Sequence, residues 1–259
     1  MTPAVPALSA SLPSGGAIPL LGFGTWRLEG PAAQQSVEQA LEAGYRHLDT
    51  ATIYGNEREV GAGLRSSGVP REEVFVTTKC PPDRATEARV VLEQSLEALG
   101  LDAVDLWLVH WPPAAPVPLW EHFLHAREHG LATDVGVSNF SLEQLDELEQ
   151  ATGVLPAVNQ VKWSPLLYDQ AVENGHRERG VVLEGYSGLK GGTLEHPVVT
   201  GTAARLGRTP AQVVNRWHLQ HGVVTIPKSS TPERIRSNAD LDGFSLSPED
   251  LAALDALGR

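Results

Sequence analysis

Short runs rich in apolar, β-branched or aromatic residues recur along the chain, and between them lie longer stretches whose apolar residues fall three and four positions apart. The first pattern suits buried strands; the second suits helices that turn one side to a core. Eight runs can be read: LLGFGTW (20–26), YRHLDT (45–50), VFVTTK (74–79), DLWLVHW (105–111), DVGVSNF (134–140), AVNQVKW (157–163), VVLEGYS (181–187) and VVTIPKS (223–229). Helices are predicted over SVEQALEAG, NEREVGAGLRSSG, ATEARVVLEQSLEALG, PLWEHFLHAREHG, SLEQLDELEQATG, DQAVENGHRERG and TPAQVVNRWHLQHG. Several of these open on Ser, Asn or Thr and close on Gly, as capped helices do.

Strand and helix alternating eight times without a break in composition predict an α/β fold, a single (β/α)8 barrel domain over residues 1–259. An open doubly wound sheet would carry a glycine fingerprint after its first strand, and GFGTWRLEG has neither the spacing nor an immediate helix. Residues 1–18, with SGG before AIPL, read as a hairpin or arm ahead of the barrel. Residues 247–259 read as a C-terminal outer helix and tail, because SLSPED has the serine, proline and acid order of a helix start.

The length of 259 residues is enough for a sizeable core, and the net charge of -12 disfavours nucleic acid and anionic membranes as partners. The single cysteine, Cys80, allows no internal disulfide, and the first twenty residues lack a basic start with an unbroken apolar run. These features predict a soluble cytoplasmic protein.

In a (β/α)8 barrel the strand ends and the loops just after them converge on one rim, where the chemistry is found. The runs end on Asp49, Lys79, His110, Ser138 with Asn139, Gln160, Tyr186 with Ser187, and Lys228 with Ser229; Tyr54 follows Asp49 in one loop. The chain has only four lysines, and two of them, Lys79 and Lys228, close predicted strands. A lysine there is costly unless a carboxylate pairs with it, and Asp49 on the neighbouring strand is the expected partner. The Lys79 ammonium would lower the pKa of the Tyr54 phenol and make it a usable proton donor, while His110 would orient a carbonyl oxygen.

With these residues in place the chain resembles the aldo-keto reductases over nearly its whole length. The matching stretches are LLGFGTW, GYRHLDTATIYGNE, VFVTTK, DLWLVHWP, GVSNF, VNQ, GYS and IPKSSTPERIRSN. The resemblance implies NADPH-dependent reduction of a small aldehyde or ketone, with Asp49, Tyr54, Lys79 and His110 as the catalytic four and no metal. It further implies that Ser138, Asn139 and Gln160 bond the nicotinamide carboxamide, that Tyr186 stacks beneath the nicotinamide, and that Thr25, Trp26 and Asp49 border the cofactor. Ser187 and Leu189 would approach the pyrophosphate; Lys228, Ser229 and Arg234 the 2'-phosphate; Asn238 the adenine. The substrate would meet Trp26, Ile53, Tyr54, His110 and Trp111. The same resemblance favours a monomer.

IPKSSTPERIRSN also reads independently as a phosphate site, with Thr231 as N-cap and Pro232 as first helical residue. Two departures from the family pattern bear on the rim: VNQ is followed by Val161, Lys162, Trp163 and Ser164, and Gly188 stands where proline is usual after Tyr186-Ser187. Two other classes of protein are alternatives to this reading. A metal-dependent barrel hydrolase could use His47 and Asp49, but the later strand ends lack the histidines a metal site needs. A sensor barrel that binds NADPH without turnover is the other alternative, and the complete catalytic set weighs against it. His122, His125 and His129 read as a solvated helix face, and Cys80 as a packing residue.

Overall fold

The structure, a computed structural model, describes residues 8–258. The leading part of the predicted arm, residues 1–7, lies outside them. A short antiparallel hairpin joins β1 (Ser9–Ser11) to β2 (Ala17–Pro19). Eight parallel strands follow: β3 (Phe23–Gly24), β4 (His47–Asp49), β5 (Phe75–Cys80), β6 (Val104–Val109), β7 (Ala132–Ser138), β8 (Val158–Lys162), β9 (Val182–Tyr186) and β10 (Val224–Thr225). Each predicted run overlaps one of them, and β5, β6 and β7 extend one or two residues beyond theirs. The sheet closes on itself through Leu21 and Thr225, where the Gly22 N–H donates to the Thr225 carbonyl (2.9 Å) and the Thr225 N–H to the Leu20 carbonyl (2.8 Å).

The helices are α1 (Gly30–Glu42), α2 (Glu57–Ser66), α3 (Ala88–Leu99), α4 (Pro116–Glu128), α5 (Leu142–Thr152), α6 (Gln170–Glu178), α7 (Pro197–Leu206), α8 (Pro210–His221), α9 (Pro232–Ala239) and α10 (Pro248–Asp255). Two differ from the pattern reading. α1 starts at Gly30, a turn and a half before Ser36; Pro31 fits its first turn, and Ser36 Oγ bonds back to the Ala32 carbonyl (2.7 Å) rather than capping. α7 was not predicted, because PVVTGTAARL is rich in β-branched residues and glycine. Burial of Val199, Thr202 and Ala203, at three- and one-residue steps on one face, overrides that weak propensity.

The layer between sheet and helices is apolar, as in the stacking of Trp107 on β6 against Phe123 on α4 with ring centroids 3.6 Å apart. Inside the barrel the upper layer is polar instead. His47, Asp49, Thr77, Lys79, Gln160 and Glu184 are all buried, with Asp49 the last residue of β4 and Lys79 the last but one of β5.

α10 forms the predicted outer helix, begun by a capping box of Ser247 and Asp250. Its far end is tied to α6 and α8 by His221, whose Nδ1 lies 3.2 Å from Glu173 Oε1 and whose Nε2 lies 3.0 Å from Asp255 Oδ1. Trp217 Nε1 also donates to Asp255 (2.7 Å). Burial alone would lower the His221 pKa, but the two carboxylates outweigh it and hold the imidazolium above its ordinary 6.5. The linked stability is therefore fully present below the unfolded value and is lost as pH rises through the raised folded value. Replacing His221 with Gln is expected to cost about 1–3 kcal/mol in chemical denaturation below neutrality, with the difference from the parent shrinking in alkaline buffer. A difference that does not change with pH would show that the imidazole is neutral there.

Candidate active site

β4 ends on Asp49, and the chain then turns through Thr50 and Ala51 into a single 3-10 turn, Thr52–Tyr54. Gly55 ends that turn at φ +66°, a left-handed conformation in which a side chain would be strained. Four bonds fix the loop: Thr52 Oγ1 donates to the Lys79 carbonyl (2.8 Å), Asn56 Nδ2 donates to the Thr25 and Leu28 carbonyls (2.9 Å each), and Thr50 Oγ1 donates to Asn56 Oδ1 (3.0 Å). Asn56 was not singled out from the sequence. Its side chain is what locks the tyrosine loop to the loop after β3.

Lys79 on β5 is completely buried, and its ammonium uses its three protons in three directions. It donates to both Asp49 oxygens (2.7 Å each), to the Thr50 carbonyl (2.8 Å), and at a longer 3.5 Å to the Tyr54 hydroxyl. Gln160 Nε2 from β8 adds a bond to Asp49 Oδ2 (2.8 Å). Since the Tyr54 oxygen accepts from Lys79, its own proton is left to point into the cavity. His110, just past β6, stands edge-on to the Tyr54 ring with centroids 5.8 Å apart. Asp49 is thus engaged by an ammonium and an amide, which leaves His47 and Asp49 a poor metal pair; His47 Nε2 instead meets Thr77 Oγ1 (3.0 Å) below it.

The electrostatics correct one expectation. Burial raises the Tyr54 pKa above its ordinary 10, and the Lys79 ammonium, which does pull it down, does not overcome that burial. Tyr54 therefore holds its proton throughout the neutral range. Lys79 keeps its charge because Asp49 outweighs the cost of burial. His110 is pushed down to about 4 by burial and then by the Lys79 charge, so it is a neutral hydrogen-bonding group at pH 7. Cys80, whose thiol burial pushes up to about 12, is inert packing.

These groups open on a cavity of about 350 Å³ at the C-terminal rim. Trp26, Asp49, Ile53, Tyr54, His110, Trp111, Ser138, Asn139, Gln160, Tyr186, Ser187, Leu189 and Lys228, all anticipated from the sequence, line it. Trp26, Ile53 and Trp111 are 41%, 58% and 48% exposed and form an apolar mouth. Deeper in, Tyr186 donates to Asn139 Oδ1 (2.8 Å), Asn139 Nδ2 donates to Ser138 Oγ (2.9 Å) and to the His110 carbonyl (3.2 Å), and Ser138 Oγ donates to the Gln160 carbonyl (2.7 Å). The chain holds this polar floor in place before any ligand meets it. Among the described residues, only Arg27, Asn139 and Ser187 are non-glycines with left-handed backbone, and all three sit at this rim. Such strain collects where function over-determines the backbone.

Four anticipated residues fall outside the cavity wall. Thr25 is buried, and its Oγ1 holds the Asp49 carbonyl (2.9 Å). Ser229 Oγ accepts from the Thr231 N–H (3.0 Å), and Asn238 is buried on α9. Arg234 is exposed in the first turn of α9, which begins at Pro232 as predicted, although the Thr231 side chain makes no capping bond. Lys190 was not predicted to take part. It lines the cavity with its ammonium 3.9 Å from the centre of the Trp26 ring, and the Arg27 guanidinium lies 4.4 Å from the same ring. Among the described residues Arg27, Lys190 and Lys228 have no carboxylate within ion-pair distance. The glycine at 188 has a steric reason: a Cβ there would come within 2.9 Å of His218 Cε1 and 3.3 Å of the Trp163 carbonyl, so the ring of a proline has no room. Lys162 is exposed and off the cavity, and His125 and His129 lie with rings 4.0 Å apart on the outer face of α4.

The barrel and its rim define a (β/α)8 oxidoreductase architecture in which a buried lysine–aspartate pair backs a tyrosine and a histidine at an apolar-mouthed cleft. A sequence model of the Aldo/keto reductase family matches residues 20–205 and 196–259, and the chain belongs to that family. It is 42% identical over 253 residues to an aldo-keto reductase of Mycolicibacterium smegmatis, covering 95% of this chain and 92% of the relative. It is 44% identical over 263 residues to an aldo-keto reductase of Mycolicibacterium vanbaalenii, covering 99% and 94%. The crystal structure of an aldo/keto reductase from Brucella melitensis superposes with a TM-score of 0.93 at 37% identity, covering 97% and 99%. That of the Bombyx mori aldo-keto reductase in complex with NADP gives 0.90 at 32% identity, covering 98% and 94%. Members of the family are oxidoreductases that use a nicotinamide cofactor on small carbonyl substrates. Among the described residues no helix is long and apolar enough to cross a membrane.

Proposed function

We propose that this protein is an NADPH-dependent carbonyl reductase in which Tyr54 donates the proton to the nascent alkoxide. The observation that carries the reading is the chain of contacts from Asp49 through Lys79 to the Tyr54 hydroxyl, ending at the cavity floor beside a neutral His110. The cofactor, when bound, supplies the hydride to the carbonyl carbon. A carbonyl oxygen seated between Tyr54 and His110 accepts hydrogen bonds from both, which directs its carbon and stabilises the charge that gathers on the oxygen. A developing alkoxide is a much stronger base than a phenolate, so Tyr54 need not be acidified below its ordinary pKa to give up its proton. The Lys79 ammonium then steadies the phenolate that remains.

The fit to a dinucleotide phosphate rests on the donor set. In a protein of net charge -12, three cations without carboxylate partners, Arg27, Lys190 and Lys228, gather at one side of the cavity. Tyr186 and the Ser138, Asn139 and Gln160 floor offer a flat ring and amide-matching donors and acceptors at the other. Lys228, with Ser229 and Arg234 beyond the wall, is assigned to the 2'-phosphate, and Asn238 to the adenine. Replacing Lys228 with Met is expected to weaken NADPH binding by about tenfold or more in a fluorescence titration, with a much smaller change for NADH. Equal losses for both would remove Lys228 from the 2'-phosphate.

The test of the reading is loss of reduced-nicotinamide absorbance with a panel of aldehydes and ketones, run with NADPH and NADH side by side. Turnover with NADPH is expected. Tight NADPH binding without consumption by any carbonyl would favour the sensor barrel instead.

A further inference from the structure

Glu184 lies inside the barrel on β9, level in register with Gln160 on β8 and Val224 on β10. Its neighbour Leu183 packs outward with Val199 and Trp217, so Glu184 faces the interior that Gln160 also faces. It is 0% exposed, and neither carboxylate oxygen has a hydrogen-bond partner. The Gln160 amide, in register beside it, donates its Nε2–H to Asp49 instead (2.8 Å). The structural role of this acid is therefore weak: it caps nothing and pairs with nothing. An unpartnered carboxylate in such a place is strongly disfavoured when ionised, so it stays protonated instead.

We propose that Glu184 is a positioning residue for the reaction at Tyr54: by staying neutral at physiological pH it leaves the Lys79 ammonium to Asp49 and Tyr54, and by ionising in alkaline solution it weakens Tyr54 as a proton donor. This rests on the reductase reading above. With Glu184 protonated, Asp49 and Lys79 balance; with it ionised, the buried cluster carries one excess negative charge. The groups that bear on it are Asp49 from β4, Lys79 from β5 and the uncharged Gln160 from β8, while β10 offers only Val224. Burial first, and then the Asp49 charge, push its pKa up to about 8 against the opposing pull of Lys79 and the Gln160 amide. Its negative charge would in turn raise the Tyr54 pKa, so the sign of the effect is fixed: alkaline pH makes the phenol a poorer donor.

The experiment compares the parent with Glu184→Gln and Glu184→Asp, each checked for folding by circular dichroism. In the ligand-free protein, the infrared band of a protonated carboxylic acid is expected at neutral pH, to disappear as the buffer turns alkaline, and to be absent from Glu184→Gln. The Tyr54 phenolate, followed by ultraviolet difference against Tyr54→Phe, is expected at lower pH in Glu184→Gln than in the parent. In carbonyl reduction, the ratio of alkaline to neutral kcat is expected to be about fivefold higher in Glu184→Gln. If Glu184→Gln does not fold, Glu184→Asp, which withdraws the acid from Gln160, must shift the alkaline limb. Coincident alkaline limbs and coincident phenol titrations in parent and variant overturn the proposal. The two ligand-free readouts decide it even if no carbonyl is reduced, so its failure and that of the reductase reading are told apart.

Discussion

Replacing Tyr54 with Phe is expected to lower carbonyl turnover by about 10²- to 10⁴-fold, the usual share of a positioned proton donor, while leaving NADPH affinity within about twofold. The substitution removes one oxygen and keeps the ring that stands edge-on to His110. Lys79 loses only its longest contact, the 3.5 Å bond to the phenol, and retains Asp49 and the Thr50 carbonyl. Stability should therefore change little, which separates a chemical loss from an unfolding loss. His110 stands beside the Tyr54 ring on the same cavity, but a histidine held down to about 4 is neutral and holds its remaining N–H too tightly to act as a strong acid. Steady-state kcat with equilibrium binding by fluorescence checks both halves. Turnover within about tenfold of the parent would mean that the proton comes from elsewhere, and the assignment of Tyr54 as donor would be lost.

What the sequence made legible follows from which forces act locally. All eight barrel strands were readable because a strand buried on both faces needs a short run rich in apolar, β-branched or aromatic residues, and that need is visible in VFVTTK or DLWLVHW without any partner. Three of the four residues proposed as catalytic, Asp49, Lys79 and His110, were readable for the converse reason: a charged or polar residue that closes such a run has no local use there. Asp49 and Lys79 stood out because lysine is scarce in this chain and a carboxylate was in reach on the next strand. The cavity-lining Ser138, Asn139, Gln160 and Tyr186 were placed by family resemblance more than by chemistry.

What escaped was set by packing across the fold. α7 forms against its own propensity because α8 and α10 bury one of its faces. Asn56 reads as a helix start in GNE, yet its amide reaches the Leu28 and Thr25 carbonyls in the loop after β3, 28 and 31 residues away in sequence. Glu184 carries no signal inside VVLEGYS, since an acid in mid-strand is informative only once Gln160, Asp49 and Lys79 are known to lie around it. The direction of the Tyr54 shift was misjudged for a related reason. A neighbouring ammonium can be inferred from strand order, but the depth of burial that outweighs it cannot.

Replacing Lys79 with Met is expected to destabilise the fold by about 3–5 kcal/mol and to abolish nearly all turnover, and the two losses have separable origins. The stability loss comes from Asp49. Its carboxylate is only 2% exposed and would be left with the single Gln160 bond, so it must either stay charged without a counter-ion or take up a proton. Asp49→Asn is expected to produce a comparable loss by stranding the ammonium. Combining the two removes both charges and leaves a neutral amide beside a thioether of similar volume, so the double variant should be more stable than either single one. Activity should not return with stability, because without the ammonium nothing counters the burial that raises the Tyr54 pKa, and nothing steadies the phenolate left after proton transfer. Denaturant midpoints and kcat measured on the same four proteins complete the cycle. Additive stability losses would show that Lys79 and Asp49 do not act as a charged pair, whereas recovery of turnover in the double variant would show that the pair serves the fold alone.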